Sequence, residues 1–278
     1  MLRVLRSHWP EYLCEAALLG LFMVSASLFT MLLEHPASPA VAALPDALLR
    51  RLLIGIAMGL TALSLIFSPL GKRSGAHFNP AVTLAFWRLG KLRAADAFCY
   101  VAAQFLGGTA GAIAVAAAVP HLMAHASVNF VATVPGNAGT TAAFAAEFAI
   151  SFVLMLAVLH VSNDARLARF TPFFAAVLVA AFITFEAPLS GMSMNPARTF
   201  ASAFAGRIWT ALWIYFVAPT LAMQCAAYVH RRTGRLVHCA KLHHHNGARC
   251  IFNCTFRNLA ARHIDSRTSS HRPLEPAV

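Results

Sequence analysis

A tripeptide written twice constrains this chain more than anything else in it. Asn79-Pro80-Ala81 recurs as Asn195-Pro196-Ala197, and Ser74, Gly75 and Thr83 recur as Ser190, Gly191 and Thr199 at the same offset of 116 residues. Such a period assigns each copy to one half of a duplicated architecture. Each copy is built as a helix start. Asn is a preferred N-cap, and Pro suits the first helical position because its φ is already helical and its missing N–H had no partner there. The apolar runs that follow, Pro80 to Leu89 and Pro196 to Ala205, stop at Gly90 and Gly206, the residue type that most readily ends a helix. At 1.5 Å per residue each covers roughly 15 Å, half of a hydrocarbon core about 30 Å thick.

Taken singly, Asn-Pro-Ala after Ser-Gly is an ordinary cap in a soluble protein. Two copies between long apolar segments mean more, because non-helical backbone at membrane depth is tolerated only where it lines a water-filled cavity or is buried in protein. Composition agrees with a membrane setting: 59% of the residues are hydrophobic and 12% charged, and the mean hydropathy is +0.64. These values exclude an ordinary soluble domain. The formal charge of +12 would suit nucleic acid, but its distribution along the chain argues for a solvated membrane face and no nucleic-acid partner.

Six apolar stretches are long enough to span a bilayer, at about residues 12–33, 48–70, 95–119, 140–160, 172–187 and 209–229. The first is too long for a typical signal-peptide core. The connector 120–139 carries no Asp, Glu, Lys or Arg and is not apolar enough to span. Residues 1–11 are then an N-terminal segment, 12–229 the membrane domain with repeats at about 12–119 and 140–229, and 230–278 a basic tail. Six full spans put both termini on one face, with Arg3, Arg6, Lys72, Arg73, Arg88, Lys91, Arg93, Arg166, Arg169 and the tail; Arg50, Arg51 and Arg207 lie on the other. The positive-inside rule makes the first face cytoplasmic. Three spans per half make the repeats inverted, so the half-helices enter from opposite faces and meet at the midplane. The expected fold is all-α, with six transmembrane helices and two re-entrant half-helices.

On these residues the chain resembles the aquaporin and glycerol-facilitator family of membrane channels. The two Asn-Pro-Ala loops carry the resemblance, together with Arg198, Glu15 and Glu147 in the first and fourth spans, and Gln104 before Gly107. It covers about residues 10 to 230. It implies a homotetramer, each subunit passing water or a small uncharged solute through its own pore across a plasma membrane, without covalent chemistry. Two helix N-termini facing each other disfavour cations in a narrow pore. The amides of Asn79 and Asn195 would donate to a passing oxygen. The backbone carbonyls of Gly75, Ala76 and His77, and of Gly191, Met192 and Ser193, would form a ladder of acceptors. Glu15 and Glu147 admit two readings, a proton relay or acceptors for the loop N–H groups, and the family pattern favours the second; Gln104 reads as an interhelical hydrogen bond.

The family's outer constriction falls on Arg198, on Ile183 where water-selective members carry His, on Met192, and on Met58 or Gly59, depending on one loop residue. Ile in place of His leaves an apolar filter with room for a larger neutral solute such as glycerol, urea or a metalloid hydroxide, whereas Thr199, Ala203 and Tyr215-Phe216 point to the water-channel branch. A secondary transporter is a competing reading, but would need coupling carboxylates at the midplane.

The cysteines divide in the same way as the chain. Cys14, Cys99 and Cys225 lie in spans and read as small apolar residues. Cys239, Cys250 and Cys254 stand in the tail beside His238, His243, His244 and His245, and a set such as Cys239, His243, Cys250 and Cys254 would suit zinc. That would make a metal-regulated channel a further alternative. The other reading is a basic tail with incidental thiols, ending in a polar stretch from about His263 to Val278 that has the composition of a disordered segment.

Overall fold

The structure is a computed structural model and describes residues 2–244, 247 and 249–256; the His263 to Val278 stretch lies outside the described residues. Among those residues every regular element is helical. The long helices are α1 (Leu2–Glu34), α3 (Ala47–Phe67), α6 (Ala94–Ala118), α8 (Gly139–Ser162), α9 (Thr171–Phe185) and α12 (Leu212–Arg232). Six helical stretches, the fifth of them α9 with the 3₁₀ turn before it, are long and apolar enough to cross a membrane. Short helices α2 (Pro39–Ala43) and α7 (Pro120–Ala124) cover the connectors, while α4 (Pro69–Ser74) and α10 (Ala187–Ser190) lead into the two half-helices, α5 (Pro80–Arg88) and α11 (Pro196–Gly206). Large apolar side chains such as Leu60, Phe98, Leu106, Val177 and Phe185 are more than half exposed along the outside, as a lipid-facing surface requires.

The two halves are packed alike and exchange their half-helices. Within the halves α1 packs on α6 and α8 on α12; across them α3 packs on α9, α5 on α12, and α11 on α6. The α1–α6 pair closes through glycine: a Cβ on Gly107 would lie 2.1 Å from the Ala16 carbonyl oxygen, and one on Gly111 2.4 Å from that of Gly20.

Local chemistry moves several boundaries. α1 begins at Leu2, well before Tyr12, because the segment taken as an N-terminal extension is anchored to α6: His8 Nδ1 and the Tyr12 hydroxyl both reach Asp96 Oδ1, at 2.7 and 2.6 Å. The second span ends at Phe67, since Pro69 cannot continue the helix; Ser68 turns extended and caps α4 with its hydroxyl, which accepts from Gly71 N at 3.1 Å. Gly206 does not stop α11 but lies in its last turn, and Arg207 takes the left-handed cap at φ 54°. Glycine at 206 serves close approach instead, because a Cβ there would meet Phe130 and Ile208 at 2.9 Å.

Candidate functional site

Each half-helix is capped by its own asparagine and tied to the opposite loop by the same side chain. Asn79 Oδ1 accepts from Ala81 N at 2.9 Å, and Asn195 Oδ1 accepts from Ala197 N and Arg198 N at 3.1 and 3.2 Å. Asn79 Nδ2 donates to Met194 O at 2.7 Å, and Asn195 Nδ2 donates to Phe78 O at 2.8 Å. Pro80-Ala81 and Pro196-Ala197 form the buried first turns behind them. The two helix N-termini therefore meet. One N–H of each amide is engaged across the junction, so half of the donor capacity expected from sequence is already taken.

Two buried carboxylates hold the loops. Glu15 Oε1 accepts from the Ser74 hydroxyl at 2.6 Å and His77 N at 3.0 Å, while its Oε2 accepts from Phe78 N at 2.6 Å and Gln104 Nε2 at 2.7 Å. Glu147 Oε1 accepts from the Ser190 hydroxyl at 2.9 Å and Ser193 N at 2.6 Å, and its Oε2 from Met194 N at 2.9 Å. Both carboxylates are fully buried, and all four of their oxygens are taken by the loops and Gln104. Two tyrosines complete the pattern: the Tyr100 hydroxyl donates to Ser74 O at 2.7 Å, and that of Tyr215 to Ser190 O at 2.5 Å. Sequence reasoning missed this pair, although their spacing of 115 residues nearly repeats the offset of the loops.

The loop backbones are bent in matching ways. Gly75 and Gly191 take left-handed φ values of 98° and 83°, and Ala76, Phe78, Met192 and Met194 are left-handed without being glycine. Such residues cost of order 1–3 kcal/mol each and persist only where the surroundings over-determine them; here the carboxylate anchors do so.

A cavity of about 270 Å³ runs past these loops. Asn79, Asn195, Arg198, Ile183, Met192 and Met58 line it, as do Ala76, His77, Gly191 and Ser193. Gly59 is turned away: a Cβ there would sit 2.6 Å from the Ala176 carbonyl oxygen, so it serves α3–α9 contact and Met58 is the lumen residue of the two. Gly75 also falls outside the lining, because its carbonyl accepts from Leu242 N at 3.1 Å. Arg198 is buried and its Nη1 finds no partner among the described residues. Away from the loops the wall continues through Ile54, Ala62 and Ile66 on α3, Phe22 on α1, and Thr30, Glu34 and Arg51 at the end opposite the termini. Ile54, Met58, Ala62 and Ile66 fall at a four-residue spacing that marks one helix face, a signal present in the sequence.

The tail after α12 folds back over the face that carries the termini. Cys239, His244, Cys250 and Cys254 gather there, with their ligand atoms all within 4.8 Å of one another. The histidine of the group is His244; His243 instead packs edge-on against Phe67, with ring centroids 4.8 Å apart. The Cys239 and Cys250 sulfurs lie 3.6 Å apart. That thiol–thiol hydrogen bond holds Cys250 below the ordinary cysteine range and pushes Cys239 above it.

Comparison with known proteins agrees with this architecture. The family model for the major intrinsic protein matches residues 5–230. "Aquaporin NIP3-1" of Arabidopsis thaliana is 36% identical over an alignment of 189 residues that covers 64% of this chain and 55% of that protein, so the match spans little more than half of its length. "Glycerol uptake facilitator protein-like 6" of Lactiplantibacillus plantarum is 35% identical over 186 residues, 66% of this chain and 85% of that one. Among solved structures, the aquaglyceroporin from Plasmodium falciparum superposes with a TM-score of 0.65 at 21% identity, covering 80% of this chain and 95% of that one, a likeness of fold. With its paired capped half-helices and a family match over residues 5–230, the chain belongs to the major intrinsic protein family.

Proposed function

We propose that the chain is a passive channel for water and small uncharged solutes, set in a plasma membrane as a homotetramer with both termini in the cytoplasm. One observation carries the reading: Asn79 and Asn195 stand side by side in the wall of one cavity, each fixed by capping its own helix and by bonding the opposite loop. A molecule at that point meets two N–H donors and two positive helix ends in a low-dielectric wall. It can accept hydrogen bonds there, and a cation is repelled. Arg198 adds fixed positive charge and free donors at the constriction. The relatives named as aquaporins and as a glycerol uptake facilitator fit the same reading.

The constriction of Met58, Ile183, Met192 and Arg198 offers three apolar walls and one donor group. That chemistry suits a solute with a small alkyl face and one hydroxyl face as well as water, so glycerol-like solutes are the second reading. A coupled transporter is disfavoured, because Glu15 and Glu147, the candidate coupling groups, are sealed behind the loops and do not line the cavity.

Stopped-flow light scattering on proteoliposomes tests the proposal: shrinkage in sucrose reads water, and re-swelling in glycerol or urea reads solute. Fast shrinkage is expected, with solute re-swelling that Ile183→His suppresses by narrowing and polarising the constriction. Absence of both fluxes above protein-free vesicles would sink the channel reading.

A further inference from the structure

The four tail ligands have the dimensions of a tetrahedral metal site. Zinc takes thiolates at about 2.3 Å and imidazole at about 2.0–2.1 Å, so a regular site places sulfurs about 3.8 Å apart and sulfur from nitrogen about 3.5 Å. The contacts found bracket those values: 3.6 Å from Cys239 Sγ to Cys250 Sγ, 3.1 Å from Cys254 Sγ to His244 Nε2, and none of the set beyond 4.8 Å. Three thiols and one imidazole form a donor set of the kind that closes structural zinc sites. From Gly234 to Thr255 the described tail has no helix or strand of its own, yet Cys239, Ala240, Lys241 and Leu242 are all buried. In a segment without regular structure, a metal clip would couple its own binding to holding that shape.

What the clip would hold is the mouth of the cavity. Leu242 lines that cavity, and its N–H donates to Gly75 O at 3.1 Å. His77 Nε2 donates to Ala240 O at 2.8 Å, and the Phe252 ring stacks on His77 with centroids 5.5 Å apart. Lys241 Nζ donates to Lys72 O at 2.7 Å and Arg249 O at 2.9 Å. The tail thus occupies an acceptor of the first loop's carbonyl ladder and inserts an apolar side chain beside it.

We propose that Cys239, His244, Cys250 and Cys254 bind one zinc-class divalent cation, and that the occupied clip holds Leu242 in the termini-side mouth and restricts flux. The second half rests on the channel reading above; the first does not. With metal bound the tail is a plug, and with metal removed the segment 239–254 loses its cross-link and the Gly75 carbonyl returns to the lumen.

Cobalt is the probe for the site. The full chain, purified in detergent under reductant and freed of metal, should take up one Co²⁺ per chain, with the intense near-ultraviolet charge-transfer and visible d–d bands of a tetrahedral thiolate site. Zn²⁺ should bleach those bands. A Cys250→Ser/Cys254→Ser double variant should lose the bands, and Cys225→Ser should keep them. No tetrahedral bands in the wild type, or bands that survive in the double variant, would overturn the site.

Flux is read on the same proteins in proteoliposomes. Shrinkage should be several-fold slower with Zn²⁺ than after chelation, fast in the double variant whatever the metal, and fast in Leu242→Ala even though that variant still binds Co²⁺. Equal rates with and without metal in a conducting wild type would overturn the gate and leave the site standing. No flux in any sample would overturn the channel reading and the gate together, while the cobalt spectra would still decide the site.

Discussion

Glu15 and Glu147 do the same task with different neighbours, and substitution should cost each about the same. Replacing either carboxylate with an amide turns one acceptor oxygen into a donor that faces a loop N–H, at about 1–3 kcal/mol per unsatisfied buried group. Beside Glu15 the Gln104 contact can adapt, but the Phe78 N–H that shares Oε2 cannot. Gln104 donates to Glu15 through Nε2 while its own Oε1 has no partner among the described residues, so in Glu15→Gln the Gln104 amide can flip and accept from the new NH₂. Its flipped oxygen then lies against the new donor, and Thr83 Oγ1, now 3.0 Å from Gln104 Nε2, can turn its proton to suit. Glu147 has only Ser190, Ser193 and Met194 around it. Each variant thus leaves one loop N–H facing a donor, Phe78 N beside Glu15 and Met194 N beside Glu147, and we expect each to cost about 2 kcal/mol, read as a drop in thermal midpoint in detergent and a loss of water flux. A much larger loss in Glu15→Gln than in Glu147→Gln would mean that the Gln104 amide does not flip. This scale was the most legible in sequence. Asn-Pro caps act through their own next few residues, and Glu15, Glu147 and Gln104 match the pattern that the family resemblance supplies. What sequence could not give was any contact that depends on the returning tail. The Gly75 carbonyl is captured by Leu242 from 167 residues away, and whether His243 or His244 turns toward the thiols depends on a backbone direction that no periodicity encodes.

Among the elements, the glycines divide into two kinds, and substitution should separate them. At Gly111 a Cβ would press 2.4 Å from the Gly20 carbonyl oxygen, on backbone that cannot move without parting α1 from α6. At Gly90 a Cβ meets nothing within 4 Å, and the cost is only that of φ +71°, about 1–2 kcal/mol. Gly90→Ala should therefore lower the thermal midpoint modestly. Gly111→Val should fail to accumulate as folded protein or lose at least about 3 kcal/mol, by strain of the overpacking kind. Size-exclusion yield and thermal melting check both; a well-folded Gly111→Val would mean that the helix pair can slide. The six spans and two half-helices were readable from apolar length, Gly and Pro. The ends were less so, for reasons visible in particular residues. His8 and Tyr12 reach Asp96 across 88 and 84 residues, which extends α1 where composition alone had ended it. Gly206 looked like a stop and proved to be a contact, since sequence cannot tell a glycine kept for its φ from one kept for lack of a Cβ.

For the whole molecule, the charge bias and the tail chemistry depend on the same orientation. The face with the termini carries Arg73, Arg88, Lys91, Arg93, Arg166, Arg169, Arg231 and Arg232; the other has Arg50, Arg51 and Arg207, and Arg50 is paired with Glu34 at 3.3 Å. On the orientation proposed above, which follows the positive-inside rule, the termini face lies in the cytoplasm. There, thiols stay reduced and available to a metal. Outside the cell, Cys239 and Cys250, with sulfurs 3.6 Å apart, would be candidates for oxidation, and a clip of three thiolates would not last. Topology can be read without the metal. Ser127 and Arg166 are both exposed, on connectors at opposite ends of α8. In intact cells a membrane-impermeant maleimide should label Ser127→Cys and spare Arg166→Cys, and permeabilisation should expose the second site. The native thiols do not confuse the assay, since only the added cysteine should change the signal relative to the wild type. The reverse pattern would put the tail outside, where the charge rule would have failed, and a reversible metal clip would lose its chemical basis in the same experiment.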